Sequence, residues 1–177
     1  MPSTSEPAGD LEREDLRIAW LAALAVTIHV AESALPSPLP GVKPGLANVV
    51  TIVTLAWFGW HACAWVSGLR VVAGSLLTGT FLSPTFLLAA AGAGAALLVL
   101  WPASRLPGRG FSPLGLSLLA AMGHMAGQFL LAWWLLIPHP ALLGLLPPLM
   151  TAAVIFGIVS GIIALRIVEQ GPPATPS

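Results

Sequence analysis

The sequence predicts an all-α integral membrane protein, built as a six-helix transmembrane bundle with both termini in the cytoplasm. The first reason is composition: of 177 residues, 56% are hydrophobic and 8% are charged, whereas a soluble domain carries about 25% charged residues. The second is a mean hydropathy of +0.90. The third is a series of apolar runs close to the roughly 20 residues that a spanning helix needs. Such a chain has too little polar surface to cover a water-facing globule.

Six apolar segments are separated by stretches rich in proline, glycine and serine. They cover about residues 16–35, 45–59, 61–77, 84–101, 113–136 and 147–168. The second and third segments could also join into one helix over residues 45–69, which would leave five helices. The positive-inside rule separates the two possibilities, because it places lysine and arginine mainly on the cytoplasmic side.

With six helices and a cytoplasmic N-terminus, only Lys43 lies outside and the arginines of the tails and loops lie inside; these are Arg13, Arg17, Arg105, Arg109 and Arg166. With five helices this bias disappears. We therefore predict a six-helix, multi-pass protein of the inner (cytoplasmic) membrane. One transmembrane domain over 16–169 is flanked by two tails predicted to be disordered, an acidic one over 1–15 and a proline-rich one over 170–177.

The connection between the first two segments is unusual in composition. Residues 32–48 contain one acid, one base, one amide and four prolines. Proline lacks the backbone N–H that a helix needs and clashes with the preceding turn, so no helix passes through this stretch. We predict a stiff loop over 36–44 that closes over a site.

Polar side chains inside the apolar segments are the main functional signal. A charge at the bilayer centre costs about 2.5–3.5 kcal/mol on insertion scales, so such residues usually face a cavity or a partner. The predicted topology places them all in the middle or outer half of the membrane. The candidates for ligand binding are His29, Glu32, Lys43, Asn48, Arg70, His124 and Gln128.

Two interpretations of these residues are open. Arg70 and Lys43 outnumber Glu32, so an outward-facing pocket lined by them would prefer an anionic ligand. Alternatively, Glu32 neutralises Arg70, and His124 and Gln128 satisfy backbone groups in a structural network. A metal site from His29, Glu32 and His124 is conceivable, but the spacing is not diagnostic, and we predict neither a metal nor a cofactor.

Several kinds of chemistry find no support in the sequence. The net charge of zero gives no nucleic-acid surface, and the single cysteine, Cys63, excludes an intramolecular disulfide. The sequence has neither a nucleophile elbow nor a phosphate-binding P-loop. Enzymes that handle diphosphates through Mg²⁺ need clustered carboxylates, and the apolar segments contain none. We therefore predict that the chain is not an enzyme by itself, and at most an accessory subunit.

Small residues recur at helical spacing in three places, which allows close approach of helix backbones in lipid. Ala19 and Ala23 form one step, and the others are Gly123/Gly127 and Gly157/Gly161. Each step predicts either packing inside the bundle or a docking face for another membrane subunit.

Short motifs in order along the chain resemble the Gx transporter family, which is also labelled heptaprenyl diphosphate synthase component I. The resemblance covers about residues 18–169, and two positions depart from it: Pro44 replaces a usual leucine and Met125 a frequent asparagine. The motifs are Glu32-Ser33 followed by Pro36 and Pro40–Asn48, then Leu69-Arg70-Val71 with Gly74-Ser75-Leu76, Ser83–Leu87, Gly123-His124 and Gly127-Gln128.

That family is similar to the substrate-binding S components of energy-coupling factor transporters. The resemblance implies a six-helix fold with both termini in the cytoplasm and a ligand pocket covered by the loop over 36–44. It also implies Ala19 and Ala23 as the docking face for a transmembrane coupling subunit that works with ATPases. Metal-transporting relatives use an N-terminal histidine, which the start of this chain lacks.

Three functions are therefore open. The first is a substrate-binding subunit of an uptake transporter for an anionic or amphipathic ligand, such as a vitamin, a prenyl compound or a quinone precursor. The second is a non-catalytic accessory membrane subunit of a polyprenyl (heptaprenyl) diphosphate synthase. The third is an assembly or anchoring subunit of a membrane redox system.

Overall fold

The computed structural model describes residues 6–34, 45–106 and 111–171. Within these ranges the chain is helical and has no strand. The five α-helices are α1 (Glu6–Ala34), α2 (Leu46–Leu77), α3 (Pro84–Ala103), α4 (Pro113–Leu131) and α5 (Leu146–Glu169). A π-helical turn, Ala132–Leu136, continues α4, and a 3₁₀-helix, Pro140–Leu145, leads into α5.

Five helical segments in the described ranges are long and apolar enough to cross a membrane. Their lengths match the roughly 30 Å of a bilayer core at 1.5 Å per residue. The chain is therefore a multi-pass membrane protein. The prediction of an all-α membrane bundle is confirmed. In place of the six predicted helices the structure has five α-helices, because α2 covers both the second and the third segment.

Helix α2 is interrupted at Gly59, whose φ of 79° and ψ of −171° are not helical. Glu32 on α1 contacts Leu46, and His29, one turn away, packs against Gly74. Leu46 and Gly74 would lie about 42 Å apart on a straight helix. The chain therefore turns back at Gly59, so that the two halves of α2, residues 46–58 and 60–77, run in opposite directions.

The first helix begins earlier than the sequence predicts. Residues 6–15 were expected to belong to a disordered tail, but α1 starts at Glu6 and includes them. For the rest of the two predicted tails, residues 1–5 and 172–177 lie outside the described ranges.

Serine–proline pairs start α3 and α4. Ser83 and Ser112 are the N-cap residues, and their hydroxyl oxygens accept hydrogen bonds from the backbone N–H groups of Phe86 and Gly115. The proline that follows each serine fits the first helical turn, where its missing N–H is not needed. These two helix starts lie where the sequence predicts them.

The two glycine steps lie inside the bundle. A Cβ added at Gly127 would lie 2.5 Å from the Cβ of Ala95 on α3, and one added at Gly161 would lie 2.7 Å from Leu114 Cδ1 on α4. Gly123 and Gly157 make similar close contacts with the same two helices. Of the two interpretations offered for these steps, packing inside the bundle is confirmed.

The alanine step on α1 has a different environment. Ala22 and Ala25 are buried in a cluster with Val50 of α2, whereas Ala19 and Ala23 are exposed. Docking of another subunit on Ala19 and Ala23 stays a prediction.

Candidate ligand-binding cavity

A cavity of about 670 Å³ lies in the interior of the bundle, and all five helices line it. This volume falls within the roughly 300–1,000 Å³ of small-molecule sites. Six of the candidate side chains line it; they are His29, Glu32, Asn48, Arg70, His124 and Gln128. Lys43, the remaining candidate, and the predicted lid over 36–44 lie outside the described residues.

Arg70 is the permanent cation of the cavity wall in the described chain. It lies in the second half of α2, and its Nε is buried without a hydrogen-bond partner in the described structure. Glu32 is close enough to act on it electrostatically, yet no described carboxylate forms an ion pair with it. The guanidinium side chain lines the cavity, and a charge in a membrane interior is costly without a partner, so an anion in the cavity would stabilise it.

Glu32 has a role that the sequence did not indicate. Its side chain is only 5% exposed, and its Oε1 accepts a hydrogen bond from the backbone N–H of Leu46 at 2.5 Å. The N-cap residue of α2 is Gly45, which has a φ of 74° and no side chain to offer. The carboxylate of α1 therefore caps α2, where the positive end of the helix dipole favours it.

His124 and Gln128 form a pair on α4. His124 Nε2 and Gln128 Nε2 are 2.9 Å apart, and the ring of His124 packs against Gly92 on α3. A Cβ at Gly92 would lie 2.7 Å from His124 Nε2 and 2.8 Å from Gln128 Cγ. The pair thus occupies space that exists because residue 92 has no side chain.

His29 is also packed against a glycine. Its ring packs against Gly74 in the second half of α2, where an added Cβ would lie 2.7 Å from His29 Cδ2. Arg70 and His29 both lie close enough to His124 to act on it electrostatically. Two imidazoles and one guanidinium therefore converge on one part of the cavity, which is a donor-rich arrangement suited to an anion.

A chain of hydrogen bonds holds the start of α2 against α4 and α5. Asn48 Nδ2 donates to Ser117 Oγ (3.3 Å), and Ser117 Oγ donates to the carbonyl of Gly157 (3.0 Å). Ser160 Oγ donates to the carbonyl of Gly45 at 3.2 Å. Asn48 thus takes part in the packing of α2 against α4. Ser117 and Ser160 are almost fully buried. The sequence analysis did not select them, although a polar residue within an apolar helix is a signal that could have identified each.

Part of the cavity lining on α4 and α5 is apolar. Met125, Ala153 and Phe156 line it and belong to one hydrophobic cluster with Leu149 and Met150. The cavity is therefore amphipathic, with nitrogen donors from α1, α2 and α4 facing an apolar wall.

The described residues contain no group of three histidine, cysteine, aspartate or glutamate side chains placed to hold a metal ion. The metal site considered for His29, Glu32 and His124 is thus not formed in this structure. Glu32 is the carboxylate of the cavity wall, and its use as a helix cap leaves no carboxylate pair for general acid–base chemistry. The arrangement is suited to binding.

Comparison with known proteins identified one family. The sequence model of the heptaprenyl diphosphate synthase component I family matches residues 21–167. The match covers most of α1 and nearly all of the chain from α2 to α5. It gives no information on the similarity to S components of energy-coupling factor transporters, which stays a prediction. Searches of curated proteins and of solved structures found no match. The chain belongs to the heptaprenyl diphosphate synthase component I family.

Proposed function

We propose that this protein is a non-catalytic membrane subunit that works with a polyprenyl diphosphate synthase and binds an anionic, amphipathic molecule in its central cavity. The family supports the association with a synthase. The observation that carries the binding role is Arg70, whose side chain lines a cavity large enough for a small molecule and forms no ion pair with a described carboxylate.

The argument for an anionic ligand is energetic. A charge inside a membrane is costly unless it meets a partner of opposite charge. The anionic part of a ligand would supply that partner and form charge-assisted hydrogen bonds with the guanidinium. Glu32 does not serve this purpose, because its carboxylate oxygen accepts from Leu46.

The location of carboxylates supports catalysis on a partner chain. Enzymes that use Mg²⁺ with diphosphates need several carboxylates at one site. In the described chain Glu32 is alone in the cavity wall, and the remaining acids lie at the ends of α1 and α5. This subunit would therefore supply membrane attachment and ligand binding.

The proposed arrangement in the inner membrane has six crossings, with both termini in the cytoplasm. The reversal at Gly59 supports it, because each half of α2 then counts as a separate crossing. Arg17 lies 5.8 Å above the ring of Phe58, so the start of α1 and the reversal share one end of the bundle. Six crossings put this end and the arginines of the 102–112 connection on the same side, in agreement with the positive-inside rule.

A second candidate is the substrate-binding subunit of an uptake transporter, similar to an S component. One observation favours it: Ser33 and Gly45, which flank the predicted lid over 36–44, both line the cavity. The ligand could then enter beside this connection, and a coupling subunit with its ATPases would dock on Ala19 and Ala23. No described feature favours the redox-assembly role over these two.

Reconstitution tests the proposal. The protein would be placed in liposomes with the catalytic synthase subunit of the same cell, and the rate and chain length of the product would be measured. Arg70→Met removes the cation and keeps most of the apolar stem; Arg105→Met is the matched control, because Arg105 is exposed beyond α3 and lies over Trp101.

We expect the wild type and Arg105→Met to bind the synthase and to change its rate or product length, and Arg70→Met to bind the synthase without this change. Absence of both binding and any change with the wild type would refute the synthase role. Retention of a small anion by the same sample would then favour the transporter candidate.

A further inference from the structure

We infer that the cavity selects an amphipathic molecule with a singly charged anionic head and about 20 non-hydrogen atoms in total. This inference deepens the proposed function and rests on it for the identity of the site. It distinguishes a short prenyl or aromatic carboxylate from the long-chain diphosphate that the family name suggests. Volume, charge and the position of the apolar wall each support it.

The volume limits the size of the ligand. At roughly 30 Å³ per non-hydrogen atom, the share of one water molecule in the liquid, a cavity of about 670 Å³ holds about 22 such atoms. A fifteen-carbon chain with a small head group fits this space. A chain of seven five-carbon units with a diphosphate exceeds it about twofold, so the product of a heptaprenyl synthase does not fit inside the cavity.

The charges limit the head group. Among the described residues that line the cavity, the side chains with a permanent charge are Arg70 and Glu32. Glu32 is neutralised in part by the dipole of α2, whose first N–H it accepts. One guanidinium then remains to balance the ligand. A carboxylate matches it in charge and in the fork geometry of its two oxygens, whereas a diphosphate carries more negative charge than the described lining residues balance.

The donors around Arg70 are neutral and few. His29 and His124 lie nearby, and Gln128 forms a hydrogen bond with His124. The hydroxyls of Ser75 and Thr78 already donate to backbone carbonyls of α2. These described groups add no fixed positive charge for a larger head group.

The tail has one apolar wall to follow. Met125 and Phe156 line the cavity on α4 and α5, and they continue into a cluster with Leu149. With the head at Arg70, the tail of the ligand would lie along this wall. The hydrophobic gain is about 25 cal/mol per Å² of apolar surface removed from water.

Titration of the purified protein with four probes tests the inference. The probes are farnesoate, farnesol, farnesyl diphosphate and heptaprenyl diphosphate, measured without Mg²⁺ in one detergent by microscale thermophoresis. Farnesoate and farnesol have similar tails, and only farnesoate is charged. Farnesoate and farnesyl diphosphate differ in the number of negative charges on the head group. The two diphosphates differ in chain length. Arg70→Met and the control Arg105→Met are titrated in parallel.

We expect farnesoate to bind at least about tenfold more tightly than farnesol, as a charge-assisted hydrogen bond predicts, and more tightly than either diphosphate. Arg70→Met should reduce the preference for farnesoate over farnesol to about twofold or less, and Arg105→Met should keep it. Equal binding of farnesoate and farnesol, tighter binding of either diphosphate than of farnesoate, or an unchanged preference in a folded Arg70→Met protein would each overturn the inference.

The two proposals can fail separately. The titration contains no synthase, so its outcome decides the ligand class whether or not the synthase role holds. Conversely, an effect on the synthase in liposomes combined with no binding of farnesoate would leave the proposed function intact and refute the ligand assigned here.

Discussion

Glu32 of α1 and Leu46 of α2 are joined by a hydrogen bond of 2.5 Å across a separation of fourteen residues. The carboxylate oxygen accepts from the first backbone N–H of α2, a donor that has no partner within its own helix. This contact ties together the two ends of the connection over 35–44 and fixes where α2 begins. The same contact positions Asn48 and Arg70, which lie on the two halves of α2, relative to α1.

The first prediction concerns this cap. Glu32→Ala removes the acceptor and leaves the Leu46 N–H unpaired in a buried place, so we expect a loss of about 1–2 kcal/mol in the free energy of unfolding. Glu32→Gln keeps an oxygen acceptor and should lose less than half of that amount. Thermal unfolding in detergent, followed by near-ultraviolet circular dichroism, measures both. Equal stability of Glu32→Ala and the wild type would show that the cap is not a stabilising contact.

The second prediction concerns Gly92 and its matched control on the same helix, Gly94. A Cβ at Gly92 would lie 2.7 Å from the His124 ring, whereas a Cβ at Gly94 meets nothing within 4 Å. Gly92→Ala must therefore displace His124 and Gln128, and overpacking of this kind costs about 1–3 kcal/mol. We expect farnesoate affinity to fall about tenfold in Gly92→Ala, since the shifted donors no longer meet the head group.

Gly94→Ala should bind farnesoate as the wild type does, because an alanine in an open position of a helix is tolerated and favoured by helix propensity. The same microscale thermophoresis measures both variants. If Gly94→Ala lost affinity as strongly as Gly92→Ala, any glycine-to-alanine change in α3 would weaken binding. The contact of residue 92 with His124 would then not explain the loss.

The third prediction concerns Met125, which stands where the resemblance leads one to expect asparagine. Met125 is 9% exposed and lies in the apolar wall with Ala153 and Phe156. Met125→Asn places an amide against this wall, so we expect weaker binding of both farnesoate and farnesol, by about tenfold each. Met125→Leu keeps the wall apolar and should change either affinity by less than about threefold.

The comparison of farnesoate with farnesol is informative here because both carry the same tail. A loss confined to farnesoate in Met125→Asn would place residue 125 at the head group and contradict the assignment of the α4–α5 side to the tail.

The sequence predicted the polar residues of the cavity because each is rare within an apolar segment, and their rarity does not depend on tertiary contacts. It also predicted the starts of α3 and α4, which depend on local serine–proline signals. It did not predict that Glu32 caps α2, because this depends on where residue 46 lies in space. The packing of Gly92 and Gly74 against histidines was equally inaccessible, since a glycine in an apolar helix does not indicate which side chain it faces.

The irregular end of α4 was missed for a related reason. The segment over 113–136 was predicted as one helix, but residues Ala132–Leu136 form a π-helical turn. Alanine, tryptophan and leucine fit α- and π-helical turns equally well, so the sequence pattern has no signal for the change. Such turns arise from the packing of the helix end, which only the fold determines.

The fourth prediction concerns Gly59, where α2 reverses. Its φ of +79° lies in a region that other residues rarely adopt, and no neighbouring atom lies within 4 Å of an added Cβ. Gly59→Ala therefore introduces backbone strain without a steric clash, and we expect a loss of about 1–2 kcal/mol in the free energy of unfolding. Gly68→Ala, in the second half of α2 and also free of contacts, should be neutral or slightly stabilising. Thermal unfolding of the two variants in one detergent makes the comparison. If α2 were a continuous straight helix in the membrane, Gly59 would have a helical φ, and Gly59→Ala would stabilise the protein as much as Gly68→Ala does.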